Sequence, residues 1–286
     1  MSAGEPTALD RFSPEALFVV SGIAQYTGAV IAVSMFDDVS PATVAWVRVL
    51  AAAVVLLAIS HRQQHGWTRD QVASAAVFGV ASALMNLFFY LAIDRLALGK
   101  SVVIEFIGPI AVAAAFTRTR RNGVALTFAV AGVVVLSGVE FDSEPLGLLF
   151  IFLASAMWAV YIVVGRRVAA LDRGVAGLAL GLAIGAVAIA PIGAPGSGPV
   201  WTTPTLLVSA VMVGVLSNVV GYGIDQHVLR RIPVRRFALL LALLPVTAVV
   251  VGWIALDQTP TPIDLIGASL VIIGVLVQDR DLLIPT

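Results

Sequence analysis

Glu105 is the residue with the most chemistry to offer. It stands in the string V-I-E-F-I-G-P, about eight residues into an apolar run, and a helix rising 1.5 Å per residue carries it roughly 12 Å deep. An ionisable group at such depth in lipid costs about 2.5 to 3.5 kcal/mol unless it faces protein or water. A carboxyl placed there can exchange a proton or hold an ammonium group as water access changes. Arg48, about seven residues into an earlier run, and Lys100, about one turn from Glu105, are its charge partners by depth. An Arg48–Glu105 pair has two readings: it tunes that exchange, or it fixes helix packing.

Other polar groups recur at helical spacing. Asn86 and Tyr90, then Asn218 and Tyr222, are each four apart and share a helical face. Two such stripes can line one cavity, although Tyr also anchors at interfaces and Asn also glues helices together. Trp158 and Tyr161 are too central for an interfacial belt and read as cavity lining or aromatic packing. Asp225 lies beside Arg230 and Arg231, a place for a salt bridge that acts as a gate or for an interfacial cap.

These groups need a membrane to make sense. The chain is 59% hydrophobic and 12% charged, with a net charge of zero, where a soluble domain carries roughly 25% charged residues. Scattered basic residues exclude the basic face of a nucleic-acid binder. With no cysteine there is no thiolate metal site or nucleophile. His61 and His65 lack a third ligand, and Gly193 to Gly198 lacks the G-K-[ST] of a nucleotide cradle. No metal, no cofactor and no ATP coupling are therefore expected. An enzyme would need convergent catalytic groups at one depth, and Glu105 has no second carboxylate or histidine beside it.

Apolar runs fall near 16–36, 41–60, 71–93, 97–117 and 123–139, then near 147–165, 175–193, 204–224, 236–256 and 262–278. At about 20 residues per crossing, ten transmembrane helices fill the chain. The expected architecture is all-α: residues 1–139 as one five-helix repeat, an acidic extracytoplasmic linker at 140–146, and residues 147–286 as the second repeat. The first run has no cleavage signal and reads as a retained helix. Gly177, Gly181 and Gly185 form a G-x-x-x-G-x-x-x-G series for close helix packing.

With both termini cytoplasmic, fourteen arginines fall inside: Arg11, Arg62, Arg69, Arg118, Arg120, Arg121, Arg166, Arg167, Arg173, Arg230, Arg231, Arg235, Arg236 and Arg280. Only Arg95 and Lys100 fall outside, with Asp37, Asp38, Glu140, Asp142, Glu144 and Asp257, as the positive-inside rule requires. Sliding the halves by 136 positions lays Ala92 to Ala115 over Val228 to Val251, matching Arg95 with Arg231 and Pro109 with Pro245, and later Gly138 with Gly274. Five spans per half make the repeats inverted, an arrangement that places a binding site near the midplane between them.

The strings M-N-L-F-F-Y-L-A-I at 85–93, V-I-E-F-I-G-P-I-A-V at 103–112, W-A-V-Y-I-V-V-G-R-R at 158–167 and Y-G-I-D-Q-H-V-L-R-R-I-P at 222–233 resemble the drug/metabolite transporter superfamily with EamA-type repeats. Within it, Arg48, Glu105 four before Pro109, and Asp225 resemble the bacterial threonine/homoserine exporter group. Two departures stand out: Leu244 precedes Pro245 where a Glu-Pro pair is common, and Asp257-Gln258 replaces Gly-Glu. The resemblance implies a multi-pass protein of the bacterial cytoplasmic (inner) membrane that exports a small polar amino acid by proton-coupled alternating access. Its partners would be the small-molecule substrate, protons and the lipid bilayer. An importer, a carrier of another metabolite, and a non-transporting membrane subunit are the alternatives. The expected cavity is lined by Asn86, Tyr90, Glu105, Trp158, Tyr161 and Tyr222, with Glu105, Arg48 and Asp225 coupling or gating.

Because the chain has no native cysteine, a single cysteine introduced in the 140–145 linker reports topology directly. It should react with a membrane-impermeant maleimide added outside intact cells; protection there, with labelling only after lysis, contradicts the assignment.

Overall fold

The computed structural model describes residues 8–96, 101, 104–136, 144–171, 173, 175–247, 250 and 260–277. Lys100, Gly138, Glu140, Asp142, Asp257, Gln258 and Arg280 lie outside them. The described residues are helical and contain no strand. The helices are α1 (Pro14–Ser34), α2 (Pro41–Ile59), α3 (Arg69–Ile93), α4 (Ile107–Phe116), α5 (Arg120–Leu136), α6 (Pro145–Ala169), α7 (Ala176–Gly193), α8 (Pro204–Arg231), α9 (Val234–Leu240) and α10 (Pro262–Val277). Among the described residues, six are long and apolar enough to cross a membrane: α1, α2, α3, α6, α7 and α8. Helices α4 and α10 are shorter apolar helices.

The helix starts are written in the sequence. Lipid offers no water to the free N–H groups of a first turn, so they must be met locally. Ser13 accepts from Ala16 N at 3.2 Å, and Ser40 accepts from Thr43 N at 3.2 Å. Thr68 and Gln71 form a reciprocal capping box, and Glu144 accepts from Gly147 N. Proline, which has no N–H to satisfy, occupies the first positions of α1, α2 and α6.

Helices α3 and α7 pack backbone to backbone. A Cβ on Gly79 would stand 1.7 Å from the Gly181 carbonyl oxygen, and one on Gly185 would stand 2.3 Å from that of Gly79. Two of the three glycines in the series in α7 therefore serve this contact, while Gly177 instead faces Val168. Helices α5 and α10 use the same device, with Gly132 against Gly267 and Val271.

The most extensive helix contacts keep their pattern when α1–α5 and α6–α10 are exchanged, whereas α2–α3, α4–α6 and α6–α8 have no comparable counterpart. The α3–α6 contact is matched by α8–α1, and α3–α7 by α8–α2. The contacts α2–α7, α4–α9 and α5–α10 map onto themselves. Segments assigned to one side by charge also meet: Arg173 donates to the carbonyls of Gln63, His65 and Gly66, Arg231 to those of Leu9, Asp10 and Phe12, and Arg121 to that of Val277.

Two features differ from simple apolar rods. The chain turns at Phe106 just before α4 and at Leu241–Ala242 just after α9. Both turns precede a proline, Pro109 or Pro245, which cannot donate to the carbonyl four residues back, that of Glu105 or Leu241. Helix α8 runs 28 residues to Arg231 rather than ending near 224, and Gly214–Gly221 within it is a π-helical stretch.

Gly79→Ala should cost at least about 1 to 3 kcal/mol through overpacking and lower the melting temperature in detergent. Gly123→Ala, whose Cβ would meet nothing within 4 Å, should not; equal melting for both variants would contradict the backbone contact.

Candidate functional site

Where the two groups of helices meet, the apolar interior gives way to a polar seam. Arg48 reaches it from α2, Asn86 and Tyr90 from α3, Trp158 and Tyr161 from α6, Asn218, Tyr222 and Asp225 from α8, and Ser21, Gln25 and Tyr26 from α1. Arg48 is 7% exposed; its Nε donates to Asn218 Oδ1 at 3.0 Å and an Nη donates to the Tyr90 hydroxyl at 2.7 Å. Its guanidinium carbon also lies 5.4 Å from the Tyr90 ring centre. One side chain thus ties three helices, and both its partners are neutral.

The second branch runs through Tyr222. Asn86 Nδ2 donates to the Tyr222 hydroxyl at 2.9 Å and to the Ser82 carbonyl at 2.7 Å. Asn86 and Tyr222 are 136 positions apart, the offset at which Arg95 aligns with Arg231 and Pro109 with Pro245 in the sequence. The Tyr222 ring sits 5.3 Å from that of Tyr161, whose hydroxyl donates to Asp225 Oδ2 at 3.3 Å. The Ser21 hydroxyl lies 3.1 Å from Asp225 Oδ1 and 3.2 Å from the Gly221 carbonyl, and itself accepts from Gln25 Nε2 at 2.9 Å.

Arg48 and Glu105, whose pairing the sequence leaves open, form no direct ion pair among the described residues. Glu105 has no hydrogen bond or ion pair among the described residues, yet it interacts electrostatically with Arg48, Tyr26 and Tyr222. The packing reason is that α2 lies against α7 and the π-helical stretch of α8, which turns Arg48 toward Asn218. Phe106, beside Glu105, meets Trp158 edge to face at 4.9 Å, which places Trp158 at the same end of the seam.

Asp225 differs from expectation. It is 3% exposed and makes no ion pair with Arg230 or Arg231. The extension of α8 sets it about 9 Å inside the helix end, while Arg231 turns to Asp10 at 3.8 Å. The salt-bridge form of the gate is therefore replaced by a carboxyl held by two hydroxyls. Asn86, Tyr222 and Tyr161 are joined by a hydrogen bond and a ring contact; Tyr90 enters the seam through Arg48, and Trp158 through Phe106 beside Glu105. Sequence reading missed Ser21, Gln25 and Tyr26, although Ser21 and Gln25 are polar residues four apart on a largely apolar helix, the same signal that marked α3 and α8. Among the described residues no three His, Cys, Asp or Glu side chains gather for a metal.

Residues 145–278 match the model of the EamA-like transporter family. The threonine/homoserine exporter RhtA of Escherichia coli (strain K12) is 31% identical over 262 residues, covering 91% of this chain and 88% of the relative. The protein of the same name from Salmonella typhimurium (strain LT2) is 30% identical over 272 residues, covering 94% and 92%. A solved crystal structure aligns with a TM-score of 0.74 over 93% of this chain and 98% of its own, at 19% identity, a likeness of fold.

A double-mutant cycle of Tyr161→Phe and Asp225→Asn, read by thermal unfolding in detergent, should give a coupling of about 0.6 kcal/mol and at most about 1.7, the range of single hydrogen bonds inside membrane proteins. Strictly additive effects would contradict the Tyr161–Asp225 contact.

Proposed function

We propose that this chain, which belongs to the EamA-like transporter family, is a secondary exporter of small polar amino acids, threonine or homoserine among them. It is a multi-pass membrane protein. On this reading it has ten spans in two inverted repeats, residues 1–139 and 147–286, joined by an extracytoplasmic linker at 140–146, with both termini in the cytoplasm of a bacterium. The observation that carries the reading is the polar seam between two groups of helices whose most extensive contacts keep their pattern on exchange. A buried Arg, two carboxyls and three buried Tyr hydroxyls are expensive in lipid, and such residues mark substrate and proton pathways. The curated relatives named as threonine/homoserine exporters support the direction and the cargo class.

The cycle follows from the seam. Inverted repeats rock about a midplane site and expose it to one side at a time. Glu105 lies at the break before α4, and Pro109 prevents its carbonyl from receiving the usual helical bond, so this part of the backbone is suited to facing cargo. Glu105 accepts either a proton or the ammonium of the cargo; a carboxyl that cannot hold both exchanges one for the other, which is proton-coupled export. Asn86, Tyr90, Trp158, Tyr161 and Tyr222 line the path, and Arg48 holds the charge balance. Asp225, clasped by Ser21 of α1 and Tyr161 of α6, gates the inner half of the path. Moving one net charge through the membrane is worth about 2.3 kcal/mol per 100 mV, enough to bias such a cycle.

Glu105→Gln keeps the shape and removes the titration, so it should abolish efflux driven by a pH gradient while leaving expression and melting temperature near wild type. Asp225→Asn should slow efflux without that uncoupling. Wild-type efflux and pH dependence in Glu105→Gln would defeat the coupling role, and loss of folded protein would make Glu105 a structural residue.

A further inference from the structure

We infer that the cargo is bound as a zwitterion, its carboxylate on Arg48 and the Asn218 amide and its ammonium on Glu105; this deepens the exporter reading and rests on it. A guanidinium has five N–H donors in a planar fork that suits a carboxylate. Arg48 spends two donor groups on neutral acceptors, Asn218 Oδ1 and the Tyr90 hydroxyl, and no carboxylate comes within 4.0 Å of it among the described residues. Its charge is therefore oriented without being neutralised.

Asn218 supplies the second half of the carboxylate subsite. Its side chain is 0% exposed, its oxygen is fixed by Arg48 Nε, and its Nδ2 finds no acceptor among the described residues. A buried amide nitrogen left unpaired is costly, and here the bond to Arg48 holds that nitrogen beside the guanidinium. Guanidinium and amide together present donors and no acceptor, which is the chemistry of a carboxylate receptor.

Glu105 is the complement. It lacks a hydrogen-bond donor among the described residues, and Arg48 and Tyr222 both sense its charge. A direct Arg48–Glu105 bridge would cancel both charges and leave neither for cargo. Neutral partners on Arg48 leave both charges available, and an α-amino acid carries the complementary pair on substituents of one carbon. The π-helical stretch has a role in this: Asn218 lies within it and aims at α2, whereas Tyr222, one residue beyond it, aims at α3 and α6.

The test uses the purified full chain and three ligands of similar shape, with binding read by ligand-induced thermal stabilisation and by competition against labelled L-threonine. L-Threonine methyl ester lacks the carboxylate charge, and 2,3-dihydroxybutanoate lacks the ammonium. Each should bind about tenfold or more weaker than threonine, the loss expected for one charged hydrogen-bonded contact. Asn218→Ala should weaken threonine while leaving the ester unchanged, and Glu105→Gln should weaken threonine while leaving the dihydroxy acid unchanged. The wild-type ligand series decides the matter even if a variant does not fold. Equal binding of threonine, ester and dihydroxy acid overturns the clamp and leaves amino-acid export standing. Wild-type protein that neither binds nor moves any amino acid overturns the export reading and the clamp with it.

Discussion

The guanidinium of Arg48 is the group around which the interior is organised. A charge in lipid is tolerated only where donors and acceptors, water or a partner charge surround it. In this protein the surroundings come from Tyr90 on α3 and Asn218 on α8, so the charge can be kept only if α2, α3 and α8 hold their rotations together. Helix α8 then brings Tyr222 to Asn86 and Asp225 to Ser21 and Tyr161, which extends the seam to α1 and α6. The satisfaction of one cation thus propagates into a polar layer shared by both groups of helices.

Backbone contacts make room for that layer. Leu and Val gain nothing by leaving lipid for each other, so helix association relies on close approach of small residues and on hydrogen bonds. The Gly79, Gly181 and Gly185 contact draws α3 against α7, and α2 also packs on α7, which fixes the distance between Arg48 and Tyr90. The breaks at Phe106 and Leu241–Ala242 belong to the same design at positions 136 apart. Proline imposes both, but only the first carries an acid, so the two halves share a backbone device and differ in chemistry.

Much of this was legible in the residues. Apolar runs and Ser-Pro, Thr-x-x-Gln and Glu-Pro starts mark the long helices within a few positions, and the spacing of Asn86 with Tyr90 and Asn218 with Tyr222 marks the faces that meet. Partner choice was not legible, because depth places Arg48 level with Glu105 but helix rotation decides what it touches, and rotation depends on glycine contacts in other helices. The π-helical stretch leaves no simple mark in G-V-L-S-N-V-V-G, yet it governs where Asn218 points. Asp225 was read against its sequence neighbours Arg230 and Arg231; the continuation of α8 to Arg231 instead set it among hydroxyls from α1 and α6. Ser21 and Gln25 carried the same i, i+4 signal as the other stripes, with no charge to draw attention to it.

The central claim is that this seam is a path for amino acids linked to protons. The most direct measurement is release of labelled L-threonine from preloaded liposomes holding the wild-type protein, with the outside buffer either acidic or matched to the lumen. Saturable release that is faster with acid outside, and that proceeds against an external excess of threonine, is the predicted result. Release no faster than from protein-free liposomes under both conditions would contradict it.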